Sequence, residues 1–185
     1  MNPRHWPNLI TALRGALALP LLWLILEQHY LAALGLLVLA GASDAVDGYL
    51  AKCNGWQTRL GAVLDPIADK LLLTAAIFAL WQVAAMPVDL LLLMLGRDAL
   101  LGVGALLWWW RFGAFTPEPS RFGKLATFAQ ILLVGGLLLH RSGLDLPLDL
   151  RIGLIGAAAV FTAASGLDYL VRYSLRAWRG QESDA

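Results

Sequence analysis

Four carboxylates crowd one short stretch of this chain. Ser43 to Lys70 reads SDAVDGYLAKCNGWQTRLGAVLDPIADK and holds Asp44, Asp47, Asp65 and Asp69 between flanks that are almost wholly apolar. An aspartate at the centre of a membrane helix costs roughly 2.5–3.5 kcal/mol. Four of them near a membrane need compensation. A divalent cation supplies it, because hard oxygen donors suit Mg2+, Mn2+ or Ca2+. The other use of such residues is to line a polar bundle or an ion pathway.

The spacing gives these residues a geometry. Asp44 and Asp47 stand three apart and share a helix face, which Gly48 and Ala51 continue. Gly61, Asp65 and Asp69 recur every four residues, again on one face. Small residues beside carboxylates let a second helix or a ligand approach closely. Two helix ends joined by a polar turn around Asn54-Gly55 would present all four carboxylates to one cavity. A cation transporter would instead spread its acidic residues through the membrane depth, whereas these cluster at one end.

The elements that must position them follow from composition. Of 185 residues, 59% are hydrophobic and 15% charged, which is not the balance of an ordinary soluble domain. The expected fold is all-α and integral to a membrane, a single domain over residues 1–185 with six transmembrane helices. Arg4, His5, Trp6 and two prolines open the chain as a short interfacial segment. Helix one is expected over about Asn8 to Glu27, a retained helix rather than a cleaved leader. Helix two is expected from Leu31 to Lys52, and helix three from Thr58 to Ala85 with Pro66 inside it. Helix four is expected from Pro87 to Trp110, helix five from Phe122 to Leu139, and helix six from Leu150 to Trp178.

Charge sets the orientation. Arg4, Lys52, Arg59, Arg111, Arg121, Lys124, Arg172, Arg176 and Arg179 fall at one side of such a bundle, and mainly Arg141 and Arg151 at the other. The positive-inside rule then puts both termini and the aspartates on the cytoplasmic face of the inner membrane. Trp108, Trp109, Trp110 and Trp178 fit an aromatic belt at that same interface. A formal net charge of +1 gives no bulk attraction to nucleic acid. Cys53 is the only cysteine, which excludes an internal disulfide, and His5, His29 and His140 have no zinc-ligand spacing.

The aspartate stretch resembles the signature of the CDP-alcohol phosphotransferase family, D-x-x-D-G-x-x-A-R, eight residues, then G-x-x-x-D-x-x-x-D. Asp44, Asp47, Gly48, Ala51, Gly61, Asp65 and Asp69 match it in register. Lys52 stands where the family usually has arginine, which keeps the charge and loses the planar bidentate fork. The resemblance implies a metal-dependent membrane phosphatidyltransferase that forms homodimers. It implies two Mg2+ or Mn2+ ions held by Asp44, Asp47, Asp65 and Asp69, with Asp69 also the base on the acceptor hydroxyl. Gly48, Ala51, Lys52 and Gly61 would adjoin the nucleotide.

Other segments resemble one branch of that family, the enzymes that make phosphatidylglycerophosphate. Pro7 to Arg14 (PNLITALR) is similar to their start and implies nucleotide contacts from Asn8 and Thr11; helix capping is the other use of Asn8. Ser120 to Thr127 (SRFGKLAT) is similar to a Ser-x-x-Gly-Lys-x-x-Thr segment, which makes Lys124, with Arg121, a candidate for the acceptor's phosphate; an interfacial anchor is the alternative. Arg97, inside helix four, joins that group, and its neighbour Asp98 is adjacent rather than one turn away. Ser165 to Leu170 (SGLDYL) also resembles this branch, and Asp168 and Arg172 are spaced to pair. The implied reaction moves a phosphatidyl group from CDP-diacylglycerol to sn-glycerol 3-phosphate. Arg97-Asp98 and Lys52 leave a second reading, a cardiolipin synthase with phosphatidylglycerol as acceptor.

Overall fold

The computed structural model describes residues 13–54, 59–112 and 120–182. Six helices account for nearly all of them: α1 (Ala18–Leu26), α2 (Tyr30–Asn54), α3 (Arg59–Gln82), α4 (Val88–Phe112), α5 (Arg121–Arg141) and α6 (Leu148–Glu182). No strand occurs among the described residues. A helical turn over 13–16 leads into α1 through Leu17, whose N–H reaches the carbonyls of both Leu13 and Arg14 at 3.0 Å. Pro20 explains this irregular join. It has no N–H for the carbonyl of Ala16, and its ring crowds that group.

Three helix ends share one device. The chain turns through a left-handed residue, whose own N–H and the next one reach back to the last turn. After α1 the residue is Gln28 (φ 62°), with Gln28 N–H bound to Ile25 and His29 N–H to Leu24 at 3.1 and 2.8 Å. After α3 it is Ala84 (φ 53°), with bonds from Ala84 to Trp81 and Ala85 to Leu80 at 2.9 and 2.8 Å. After α5 it is Gly143 (φ 103°). The expected break at Gln28 to Tyr30 is where α1 gives way to α2. Helix three ends at Gln82, ahead of the expected Ala85, because the cap is built on Ala84.

The helices belong to two compact units. One runs to Met86 and includes Val134–Pro147; the other holds Pro87–Leu133 and the chain from Leu148 onward. In the first, α1 packs along α3 and touches α2. Ala18, Leu21 and Ile25 of α1 are buried, as are Ala68, Leu72, Ala76 and Leu80 of α3, each set following helical spacing. Arg141 Nη2 caps the end of α3 by donating to the carbonyls of Val83 and Ala84 at 3.2 and 3.0 Å.

In the second unit α4 packs on α6. Gly104 sits where a Cβ would run into the Tyr169 ring, whose hydroxyl donates to the Leu101 carbonyl at 3.3 Å. Buried Gln130 of α5 donates to buried Thr162 of α6 at 3.1 Å, a polar link between helices of the kind membrane bundles use.

Val88–Arg111, Arg121–Arg141 and Leu148–Arg172 are long and apolar enough to cross a membrane, whereas the apolar runs Leu13–Leu26 and Tyr30–Ser43 are shorter. Leucines and tryptophans of α4, among them Leu92, Leu106, Leu107, Trp109 and Trp110, lie exposed. Exposed apolar surface on such helices is what a lipid-facing protein presents. Six transmembrane helices were expected; among the described residues there are six helices, of which three qualify as spans. Arg59, Asp65, Asp69 and Lys70 break the apolar run in the first half of α3.

Candidate functional site

Asp44 and Asp47 lie on the helical backbone of α2, Asp65 and Asp69 on that of α3. Asp44 is ten residues before Asn54, and Asp69 ten after Arg59; Asp47 and Asp65 are seven before and six after the same ends. At about 1.5 Å per residue, the outer pair lies about 15 Å from its helix ends and the inner pair about 10 Å. The four aspartates are thus carried by two consecutive helices. α3 stays one helix through Pro66.

The side chains of Asp44, Asp47, Lys52 and Asp65, the surroundings of Gly48, Ala51 and Gly61, and residues Asn8 and Thr11 lie outside the described residues. Asp69 lies within them. Its Oδ1 accepts from Arg14 Nη1 at 3.2 Å. The Arg14 side chain is 3% exposed and that of Asp69 49%. Arg14 comes from the turn that enters α1, and neighbouring Gly15 lets that turn lie close to α3: a Cβ on Gly15 would be 3.7 Å from that of Ala68. A buried guanidinium therefore fixes one oxygen of a carboxylate that remains accessible.

A second polar group forms in the unit that holds α4 and α6. Arg97 Nε and Nη2 both donate to Ser165 Oγ, at 3.1 and 2.8 Å, and Nη1 donates to Asp98 Oδ1 at 2.8 Å. The adjacent aspartate thus serves as a partner despite not lying one turn away. The start of α5 adjoins this group. Ser120 caps the helix by accepting from Gly123 N–H at 2.9 Å, and Thr127 folds back onto the Gly123 carbonyl at 3.2 Å. A Cβ on Gly123 would lie 3.3 Å from Ser120 Oγ, 3.4 Å from Arg97 Nη2 and 3.7 Å from Ser165 Oγ. The Ser-x-x-Gly-Lys-x-x-Thr pattern therefore has a local meaning: a cap, a space beside Arg97, and a helix that begins there.

Arg121 and Lys124 on that first turn are exposed. Neither forms an ion pair among the described residues. A helix N-terminus, one half-buried guanidinium and two solvated cations together favour an anion, with Asp98 an opposing charge in the group. Sequence reasoning missed one participant, Ser165, although it opens the SGLDYL segment. Arg14, a cation within an apolar helix, can be read from sequence either as snorkelling or as facing the site, and it pairs with Asp69. Arg172 Nε donates to Asp168 Oδ1 at 2.8 Å, as their spacing predicts.

Comparison with known proteins extends this picture. The family model described as CDP-alcohol phosphatidyltransferase matches residues 4–167. A CDP-diacylglycerol–glycerol-3-phosphate 3-phosphatidyltransferase of Aquifex aeolicus is 36% identical over 126 residues, 65% of this chain and 68% of that protein. The Bacillus subtilis protein of the same name is 35% identical over 148 residues, 76% of this chain and 72% of that one. A rat cardiolipin synthase (CMP-forming) is 39% identical over 103 residues, 54% of this chain but 33% of that protein.

Proposed function

The chain belongs to the CDP-alcohol phosphatidyltransferase family, and on that premise we propose that it moves the phosphatidyl group of CDP-diacylglycerol onto sn-glycerol 3-phosphate. The products are phosphatidylglycerophosphate and CMP. The observation that carries this reading is the match, along two thirds or more of their length, to two relatives named for that reaction. The anion-favouring group of Arg97, Arg121 and Lys124 at the start of α5 supports it, because glycerol 3-phosphate brings a phosphate of its own. Membership of a transferase family sets aside the cation-transporter reading.

The carboxylates suit the donor. Asp44, Asp47, Asp65 and Asp69 form an oxygen-only set on consecutive helices, which fits hard divalent cations. They would hold two Mg2+ or Mn2+ ions, whose charge offsets that of the diphosphate. The acceptor hydroxyl oxygen forms a bond to the phosphorus that bears diacylglycerol. The bond from that phosphorus to the CMP oxygen breaks, CMP leaves as an anion, and Asp69 takes the hydroxyl proton. Arg14 holds Asp69 Oδ1 and so limits how that carboxylate turns. Asn8, Thr11, Gly48, Ala51, Lys52 and Gly61 complete the proposal on the nucleotide side.

The same reading takes residues 1–185 as one catalytic domain with six spans, its aspartates on the cytoplasmic face of the inner membrane, working as a homodimer. The loop charges support that orientation. The test is CMP release by purified protein in detergent, with Mg2+ or Mn2+ and CDP-diacylglycerol. Release with glycerol 3-phosphate, lost to chelation and restored by Mg2+ or Mn2+, is the expected result. Release only with phosphatidylglycerol would favour the second reading, a cardiolipin synthase, which the rat relative keeps in view. Release indifferent to chelation would overturn the metal assignment.

A further inference from the structure

One hydroxyl grips one edge of the Arg97 guanidinium. Ser165 Oγ accepts from both Nε and Nη2, at 3.1 and 2.8 Å, and Asp98 takes a hydrogen from Nη1. A guanidinium has five N–H hydrogens. Three are engaged here, which leaves one on Nη1 and one on Nη2. Ser165 is 2% exposed on α6, and Gly166 beside it lies along the arginine stem: a Cβ there would be 3.8 Å from Arg97 Cγ. A Cβ on Gly123 would crowd Nη2 at 3.4 Å, so the glycine keeps a side chain off the nitrogen that carries one of the remaining donors.

We propose that Ser165 is a positioning residue for acceptor binding: by holding Nε and Nη2 it sets the plane of the Arg97 guanidinium and aims its two remaining N–H groups at the acceptor's phosphate. The inference rests on the reading of Arg97 as a ligand of that phosphate. Asp98 contacts only one nitrogen and leaves the plane of the guanidinium free to turn about that contact. Two bonds to one oxygen along the Nε–Nη2 edge remove that freedom. Because the hydroxyl is neutral, it orients the guanidinium without cancelling its charge. A second carboxylate in its place would compete with the phosphate.

The test is steady-state kinetics of the full-length protein in detergent, with each substrate varied while the other is saturating. Ser165→Ala is expected to raise KM for glycerol 3-phosphate about tenfold, with kcat moving much less and KM for CDP-diacylglycerol unmoved. Ser165→Thr, which keeps the hydroxyl, should recover most of the loss, and Ser165→Cys, a weaker acceptor, should fall between. In an Arg97→Ala background Ser165→Ala should add nothing, since it acts through the arginine. Thr162→Val removes another buried hydroxyl of α6 and should lower thermal stability while leaving acceptor KM alone.

A Ser165→Ala enzyme that loses kcat and thermal stability with acceptor KM unmoved would overturn the proposal. So would a KM effect that persists in full without Arg97. An Arg97→Ala enzyme with normal acceptor KM would instead overturn the reading of Arg97 itself. If Arg97→Ala were inactive, Arg97→Lys, which keeps charge and loses the fork, carries the same comparison. Parallel reactions with phosphatidylglycerol decide which phosphate-bearing acceptor the site serves.

Discussion

Arg14 Nη1 lies 3.2 Å from Asp69 Oδ1, and the two ends of this ion pair sit in different surroundings, the arginine side chain 3% exposed and the aspartate 49%. The arginine is fixed by the packing around it, while the carboxylate faces outward. In the proposed reaction Asp69 must meet cation and acceptor proton, and the buried partner fixes the direction from which it does so.

Asp69→Asn should therefore cut turnover by roughly 100- to 10,000-fold. The variant should still bind CDP-diacylglycerol, which calorimetry in detergent can measure. Arg14→Gln should lower kcat by about tenfold, and the two losses should not add when combined. Near-normal turnover in Asp69→Asn would sink the base assignment.

At Gly123 an added methyl would stand 3.3 Å from Ser120 Oγ and 3.4 Å from Arg97 Nη2. Gly123→Ala should raise acceptor KM several-fold while CDP-diacylglycerol binding is kept. Equal loss toward both substrates would show that the residue serves only the helix.

Gly104→Ala should lower stability by about 1–3 kcal/mol, because its Cβ would press on the Tyr169 ring and strain the bond to the Leu101 carbonyl. Removing the hydroxyl takes away the closest obstacle. Thermal unfolding of the double variant with Tyr169→Phe should accordingly show less loss than the two single changes summed.

Ala84 holds φ 53° without being a glycine. A left-handed alanine costs roughly 1–2 kcal/mol relative to an unstrained residue, so Ala84→Gly should raise stability by about 1 kcal/mol. Gly143→Ala, at φ 103°, should lower it. Both are read from melting curves at fixed detergent concentration, and a neutral Ala84→Gly would mean that the cap is already relaxed.

These residues also show what a sequence can reveal. The helices that carry the aspartates and the order of all the described helices were legible, because both express local periods along one chain. Asp168 and Arg172 were legible for the same reason. Arg14 and Asp69 are 55 positions apart, and Arg97 and Ser165 are 68 apart. No period links such pairs, and only the packing of one helix on another brings them together. Helix ends were blurred where the left-handed cap residue was alanine instead of glycine. The break at Leu17 follows from Pro20, a residue whose effect falls one turn before it.

Arg97 sits near the middle of α4, a helix otherwise rich in exposed leucine and tryptophan. Acyl chains solvate leucine about as well as a protein interior does, so the apolar residues have little preference for one azimuth of the helix over another. A guanidinium is different, since turning it outward would bury a cation in hydrocarbon. The rotational setting of α4 about its own axis is therefore held against α6 at two places, the grip of Ser165 on Arg97 and the seat of Tyr169 at Gly104. Only the first of them is enforced by charge.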